Sequence, residues 1–107
     1  MNNKFSIMMN RLKEYSKRSF PSNAHVWLYG SRARGTYKAD SDWDILIILD
    51  KESTTQQDFN NYAFPLCLLG SEFDEIIIPV LYSKKEWAKM KSTPFYENVN
   101  RDKVTLL

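Results

Sequence analysis

The spacing of apolar residues predicts that the chain begins with a helix. Apolar side chains recur every three or four positions over residues 3–19, a period typical of one face of an amphipathic helix. Pro21 follows this segment. The residue before a proline avoids helical backbone, so the helix is expected to end before it.

Three short segments have the composition of strands. They are AHVWLYG at 24–30, DWDILIILD at 42–50 and EIIIPVLYS at 75–83, all rich in β-branched or aromatic residues. The almost unbroken apolar run of the second segment is typical of a strand that is covered on both faces. Pro79 within the third segment indicates an edge strand or a bulge.

A helix is predicted between the second and third strands. Ser53 or Thr54 is expected to cap it, and the helical pattern continues to Leu69 and ends at Gly70. Pro65 is expected to kink this helix or to divide it in two.

Two further helical segments follow the third strand. Ser83 has Glu86 three residues after it, which is the spacing of a capping box, and Pro94 suits the first turn of a last helix. Three strands with helices between them predict a small α/β or α+β layer. At 107 residues we expect a single domain over 1–107.

Composition narrows the class of protein. Hydrophobic residues make up 43% and charged residues 26%, which is ordinary for a soluble globular protein. A net charge of +2 without a polybasic run does not by itself indicate nucleic acid. No apolar stretch reaches the roughly 18 residues of a membrane helix. The single cysteine and the lack of a signal-peptide pattern favour the cytoplasm, and the single histidine excludes a multi-histidine metal site.

The segment GSRARGTYKADSDWDILIIL at 30–49 carries the candidate chemistry. Residues i and i+2 of a strand point to the same face, so Asp42 and Asp44 are expected to lie side by side. Two neighbouring carboxylates repel each other unless a cation compensates them. Oxygen ligands at this spacing suit Mg²⁺ or Mn²⁺ together with substrate phosphates.

The Gly-Ser pair before this strand predicts a phosphate site. Gly30 permits a sharp turn, and a helical turn begun at Ser31 would present free N–H groups to an anion. Arg32 and Arg34 in the same loop are candidates to neutralise phosphate charge. Arg34 has a structural alternative, which is a buried pairing with one of the two aspartates. Gly-Ser is a common dipeptide and acidic pairs often lie in solvated loops, so the prediction rests on their ordered combination.

This segment resembles the signature of the minimal nucleotidyltransferases, a branch of the DNA polymerase β-like nucleotidyltransferase superfamily. The positions that match are Gly30, Ser31, Ala33, Arg34, Gly35, Ser41, Asp42, Asp44, Ile45 and Leu46. The C-terminal segment IPVLYSKKEWAKMKSTPFYENVNRDKVTLL is similar to that of one family subgroup.

The resemblance implies a nucleotidyltransferase fold, a small mixed β-sheet with helices packed against it. It also implies that AMP is transferred from an NTP, ATP above all, to a hydroxyl group by a two-metal mechanism. Asp42 and Asp44 would then bind the metal ions, and Gly30 and Ser31 the β- and γ-phosphates. The alternative is an antitoxin-like or pseudoenzyme module that binds nucleotide and a helical HEPN-type protein with little turnover. The small size favours assembly as a homo- or hetero-oligomer.

The chain departs from the superfamily pattern at the third carboxylate. The superfamily carries this acid on the next strand, but residues 76–82 contain none. Asp74 and Glu75 are the nearest candidates, and Glu75 is predicted to complete the catalytic set. Either acid could reach the site only if the third strand runs parallel to the second, which the sequence leaves open.

Overall fold

The protein is built on a four-stranded mixed β-sheet whose strands lie in the order β3-β2-β1-β4. The structure is a computed structural model that describes residues 3–107, with side chains from residue 4 onward. The strands are β1 (His25–Tyr29), β2 (Trp43–Leu49), β3 (Ile77–Ser83) and β4 (Val104–Thr105). The helices are α1 (Asn3–Ser19), α2 (Ser31–Arg34), α3 (Gln56–Asp58), α4 (Phe64–Glu72), α5 (Lys84–Ala88) and α6 (Pro94–Asp102).

The register of the strands brings three chain segments to one end of the sheet. Strands β1 and β2 are antiparallel and place Tyr29 opposite Asp44. Strands β2 and β3 are parallel and place Asp44 opposite Ile78. The last residue of β1, an early residue of β2 and an early residue of β3 therefore form one row across the sheet.

Helices cover both faces of the sheet, as the apolar run of β2 predicts. On one face, Met8 and Leu12 of α1 and Leu66 of α4 pack with inward-facing residues such as Val26 and Ile45. On the other face, the opposite set of strand residues packs against helices α5 and α6. These contacts include Leu46, Ile48, Trp27, Trp87 and Val99. The row of Tyr29, Asp44 and Ile78 belongs to this second face, because strand side chains alternate.

The architecture confirms the predicted fold class. β3 is an edge strand, which accounts for Pro79, and the capping box of Ser83 and Glu86 is present. The two-residue strand β4 was missed by the sequence analysis, because its position depends on pairing with β1. Among residues 3–107 no helix combines the length and the apolar character needed to cross a membrane.

The predicted helix between β2 and β3 differs in its details. Its cap is Thr55 rather than Ser53 or Thr54, and a capping box joins Thr55 to Asp58. The helical segment continues to Glu72, beyond the predicted end at Gly70. It is divided as expected near Pro65, where a π-helical turn over Phe59–Ala63 leads into α4.

Candidate functional site

The end of β1 and the start of β2 lie side by side. Tyr29 is paired with Asp44, so Gly30 follows directly beside this carboxylate. Asp42 and Asp44 are both partly exposed, on either side of the fully buried Trp43. The structure thus brings together the Gly-Ser turn and the acidic pair, which helix α2 and the loop after it separate in the sequence.

Gly30 permits this close approach through its backbone and through its lack of a side chain. Its φ of 74° and ψ of −159° lie in a region that is almost restricted to glycine. A Cβ atom added at this position would overlap Oδ2 of Asp44 and lie 3.2 Å from its Cγ. Gly30 also caps α2, since its carbonyl accepts hydrogen bonds from the N–H groups of Ala33 and Arg34 at 3.1 Å.

We expect Gly30→Ala to destabilise the protein by about 3 kcal/mol, which corresponds to a fall in Tm of roughly 10 °C. The cause is backbone strain together with displacement of the Asp44 carboxylate. Thermal unfolding followed by circular dichroism measures this effect.

Gly35→Ala is the control for a glycine with positive φ and no close neighbour. Gly35 also has a positive φ, of 82°, but an added Cβ would meet no atom within 4 Å. Because the left-handed backbone of Gly35 strains an alanine less than the backbone of Gly30 does, the difference between the two variants reports the contact with Asp44 together with the extra strain at Gly30. Equal losses of stability in the two variants would contradict the close approach.

The electrostatic environment of Asp44 favours a cation. Burial raises the pKa of the Asp44 carboxyl group, the charge of Asp42 raises it further, and the charge of Arg34 partly offsets both effects. The neighbouring Tyr29 has a pKa of about 12, raised by burial and then by the charges of Asp44 and Tyr82. Both pKa shifts arise first from burial and only then from neighbouring negative charge, and it is this smaller contribution that a bound cation would compensate.

The two carboxylates could supply part of the coordination of a divalent cation. Asp42 and Asp44 offer carboxylate oxygens, the ligands that Mg²⁺ prefers. Within residues 3–107, no group of three His, Cys, Asp or Glu side chains is placed to hold a metal ion. Two carboxylates leave coordination positions for water and phosphate oxygens, which is the usual arrangement for Mg²⁺.

Arg34 lies at the edge of the site and is partnered by helix α6. Its Nη1 atom is 3.3 Å from Oδ2 of Asp102, and its side chain is 44% exposed. The structural alternative of a buried pairing with Asp42 or Asp44 is therefore not observed. Arg34 remains close enough to Asp44 to lower the pKa of that carboxyl group.

A cavity of about 190 Å³ adjoins this arginine. It is lined by Tyr29, Gly30, Arg34, Phe95, Asn98, Val99 and Asp102. Its wall combines aromatic faces with amide, carboxylate and guanidinium groups. Asp102 was missed by the sequence analysis, and no local pattern could have found it, since only the packing of α6 brings it to Arg34.

The side chains of Arg32 and Glu75, which were predicted to join the site, pair with each other on the face of the sheet opposite to the Asp44 carboxylate. The Arg32 side chain is 4% exposed, and its Nη2 atom lies 3.8 Å from Oε1 of Glu75. Glu75 also pairs with Lys4 at 3.4 Å, so two cations surround it. Both residues line a small cavity together with Phe5 and Trp43, on the other face of the sheet from Asp44.

The positions beside Asp42 and Asp44 on the neighbouring strand are occupied by isoleucine. β3 is parallel to β2, the arrangement that would favour an acid at its start. However, Ile78 is opposite Asp44, and the N–H of Trp43 donates to the carbonyl of Ile76 at 2.9 Å. Ile76 and Ile78 are 64% and 41% exposed. Alternation along the strand therefore directs apolar side chains to the site face and Glu75 to the opposite one.

Two larger clefts, of about 280 and 540 Å³, lie at the far end of β2. Asp50 and Lys84 line both of them, and His25 lines the smaller one. His25 is paired with Ile48, four residues along β2 from Asp44. This histidine is therefore remote from the acidic pair, as expected from its place at the start of β1.

Comparison with known proteins shows a family match and similar solved structures. The family model described as a nucleotidyltransferase domain matches residues 9–103. A crystal structure of a toxin–antitoxin with AMP-PNP is similar in fold, with a TM-score of 0.62 and 19% identity. That similarity covers 92% of this chain and 72% of the other. A Sulfolobus solfataricus protein assigned as a nucleotidyltransferase has a TM-score of 0.49 and 22% identity, over 98% and 87% of the two chains. No curated protein gave a significant match.

Proposed function

Because this chain belongs to the nucleotidyltransferase domain family, we propose that it transfers AMP from ATP to a hydroxyl group of an acceptor. We further propose that it is a minimal nucleotidyltransferase, on the evidence of the segment at 30–49. The observation that carries the proposal is the approach of the Gly30 turn to the Asp44 carboxylate. A phosphate-binding turn and a cation-binding acid that touch each other can hold the two halves of a metal–nucleotide complex.

In this proposal Asp42 and Asp44 hold Mg²⁺ or Mn²⁺. When bound, the metal ions neutralise charge on the reacting phosphate and lower the pKa of an attacking oxygen. The protein contributes the carboxylates of Asp42 and Asp44, which are partly exposed at the start of β2. The two carboxylates repel each other in the folded protein before any ligand binds, so binding a cation removes this unfavourable repulsion.

The Gly-Ser turn binds the β- and γ-phosphates in this scheme. The first N–H groups of α2, those of Ser31 and Arg32, lack an acceptor within the helix and would be the donors to these phosphates. Arg34 is exposed, so its guanidinium group can exchange its contact with Asp102, at 3.3 Å, for one with a phosphate oxygen. The adjoining cavity beside Phe95 is the proposed location of a further part of the nucleotide.

Turnover in this protein depends on which group replaces the third carboxylate, which β3 does not provide. Glu75 is engaged by Arg32 and Lys4, and Ile78 stands opposite Asp44. The acceptor hydroxyl therefore has no carboxylate on β3 to take its proton. We propose that the acceptor or a protein partner supplies this group, or that the reaction is slow.

A second candidate function is favoured by the isoleucine at position 78. A chain that binds the nucleotide without a proton acceptor could act mainly as a nucleotide-binding antitoxin-like module. The similar fold in a toxin–antitoxin crystallised with AMP-PNP supports this candidate. Its partner would be a helical protein of the HEPN type.

Calorimetric titration with ATP tests the shared part of both candidates. We expect binding in the presence of Mg²⁺ that is weakened at least tenfold by EDTA, because phosphate and metal are held together. Absence of binding under both conditions would exclude both candidates. Incubation with α-labelled ATP, Mg²⁺ and a cell lysate separates them, since only the enzyme labels an acceptor.

A further inference from the structure

Arg32 is buried although arginine side chains are rarely buried without partners. Its guanidinium group donates to backbone oxygens of the loop between α2 and β2. Nη2 lies 2.9 Å from the carbonyl oxygen of Ser41 and 3.3 Å from that of Ala39, and Nε lies 3.2 Å from the Ser41 oxygen. The planar group thus joins two carbonyls of one loop to helix α2.

Aromatic rings enclose the same guanidinium group. Its Cζ atom lies 4.5 Å from the ring centroid of Tyr37 and 4.7 Å from that of Trp43. Phe5 of helix α1 stacks on Tyr37, with ring centroids 5.0 Å apart and nearly parallel planes. The rings restrict the guanidinium plane and shield it from water, while Glu75 balances its charge.

The loop itself is closed by hydrogen bonds between Lys38 and Ser41. The Lys38 N–H donates to Oγ of Ser41 at 2.8 Å, and the Ser41 N–H donates to the Lys38 carbonyl at 3.1 Å. Arg32 therefore binds a loop that is already held as a turn. The hydrogen bonds of Arg32 consequently restrain the whole loop.

The hydrogen bonds of Arg32 to the Ser41 carbonyl also restrain Asp42, because a peptide bond joins the two residues. The atoms from the Cα of Ser41 to the Cα of Asp42 lie in one plane. Holding the Ser41 carbonyl therefore restrains the N and Cα atoms of Asp42. On the other side, the N–H of Trp43 is bonded to the carbonyl of Ile76 at 2.9 Å. Asp42 is thus restrained by Arg32 before it and by the start of the β3 segment after it.

We infer that Arg32 is a positioning residue that holds Asp42 in place through the carbonyls of Ala39 and Ser41, and that it does not bind phosphate. The consequence for metal binding rests on the proposed function, whereas the restraint of the loop does not. A lysine could balance Glu75 as a point charge, but it lacks the planar fork that reaches two carbonyls while stacked between rings.

Hydrogen exchange without nucleotide tests the restraint of the loop. In Arg32→Lys and Arg32→Gln we expect the amides of Lys38 and Ser41 to exchange about tenfold faster or more than in the wild type. Arg18→Gln is the matched control, because Arg18 is an exposed residue of α1 that pairs with Glu14. Unchanged exchange in Arg32→Lys, the milder variant, would overturn the inference.

Calorimetry distinguishes positioning from phosphate binding. If Arg32 positions Asp42, Arg32→Lys weakens ATP binding with Mg²⁺ about tenfold and leaves binding in EDTA unchanged. Equal weakening under both conditions would instead identify Arg32 as a phosphate ligand and overturn the inference. If the wild type binds no ATP, the proposed function fails, and the exchange experiment still decides whether Arg32 restrains the loop.

Discussion

Asp44→Asn is expected to reduce Mg²⁺-dependent transfer of AMP by about 10³-fold, since the several kcal/mol that a bound metal contributes would be lost. Asparagine keeps the shape of the side chain and removes its charge, so the effect reports cation binding rather than packing. Transfer from α-labelled ATP and the Mg²⁺ dependence of ATP binding measure it.

The same variant is expected to be as stable as the wild type, or more stable, at neutral pH. The pKa of Asp44 is raised in the folded protein, so folding disfavours its charged form. This cost is absent below the unfolded pKa and is complete once the pH exceeds the folded pKa. The neutral asparagine side chain would carry no such cost, so a loss of transfer with an unchanged or higher Tm separates function from stability.

Asp50→Asn is the matched control for this loss of charge. Asp50 directly follows β2 at its far end, is exposed and accepts a hydrogen bond from Asn23 at 3.3 Å. We expect nearly wild-type transfer in this variant. Full transfer in Asp44→Asn, or an equal loss in Asp50→Asn, would contradict the assignment of the metal site to Asp44.

Ile78→Asp is expected to strengthen Mg²⁺ binding about tenfold, because a third carboxylate would join Asp44 in its row. Neighbouring strands are about 4.8 Å apart, so the new side chain would lie within reach of the same cation. As a proton acceptor it would also raise the rate of transfer by about 10²-fold. Single-turnover rates and Mg²⁺ titrations measure the two effects.

The stability of Ile78→Asp should depend on the metal. Without Mg²⁺ the three acids repel each other and Tm falls, and with Mg²⁺ and ATP it recovers. Leu68→Asp is the matched control, since it introduces the same charge on exposed α4, at a position that is 54% exposed. A Mg²⁺ affinity in Ile78→Asp no higher than in this control would show that position 78 does not face the metal site.

The elements other than the two-residue strand β4 could be predicted from local sequence patterns. The apolar period of 3–19, the β-branched runs and the capping pattern of Ser83 and Glu86 depend on neighbours in the chain, and each led to the observed element. The fold class followed from their order. The Gly-Ser turn and the acidic pair were also expected at the ends of neighbouring strands, whereas the contact of Gly30 with Asp44 required the antiparallel pairing of β1 with β2.

Which residues lie beside Asp42 and Asp44 depended on contacts between distant parts of the chain. The parallel pairing of β3 with β2 decided that Ile78, and not Glu75, stands beside Asp44. The burial of Arg32 between Tyr37 and Trp43 required helix α1 and residue 75 to pack against the loop.

The sequence by itself thus determined which helices and longer strands form, and which residues were candidates to bind a metal–nucleotide. Only the tertiary structure decided which of those side chains lie together on one face of the sheet. The physical reason is that helix and strand periods are set within a few residues, whereas strand direction and the burial of a charge depend on partners far along the chain. Arg32 and Glu75 illustrate this, because they lie far apart in the sequence and compensate each other in the fold.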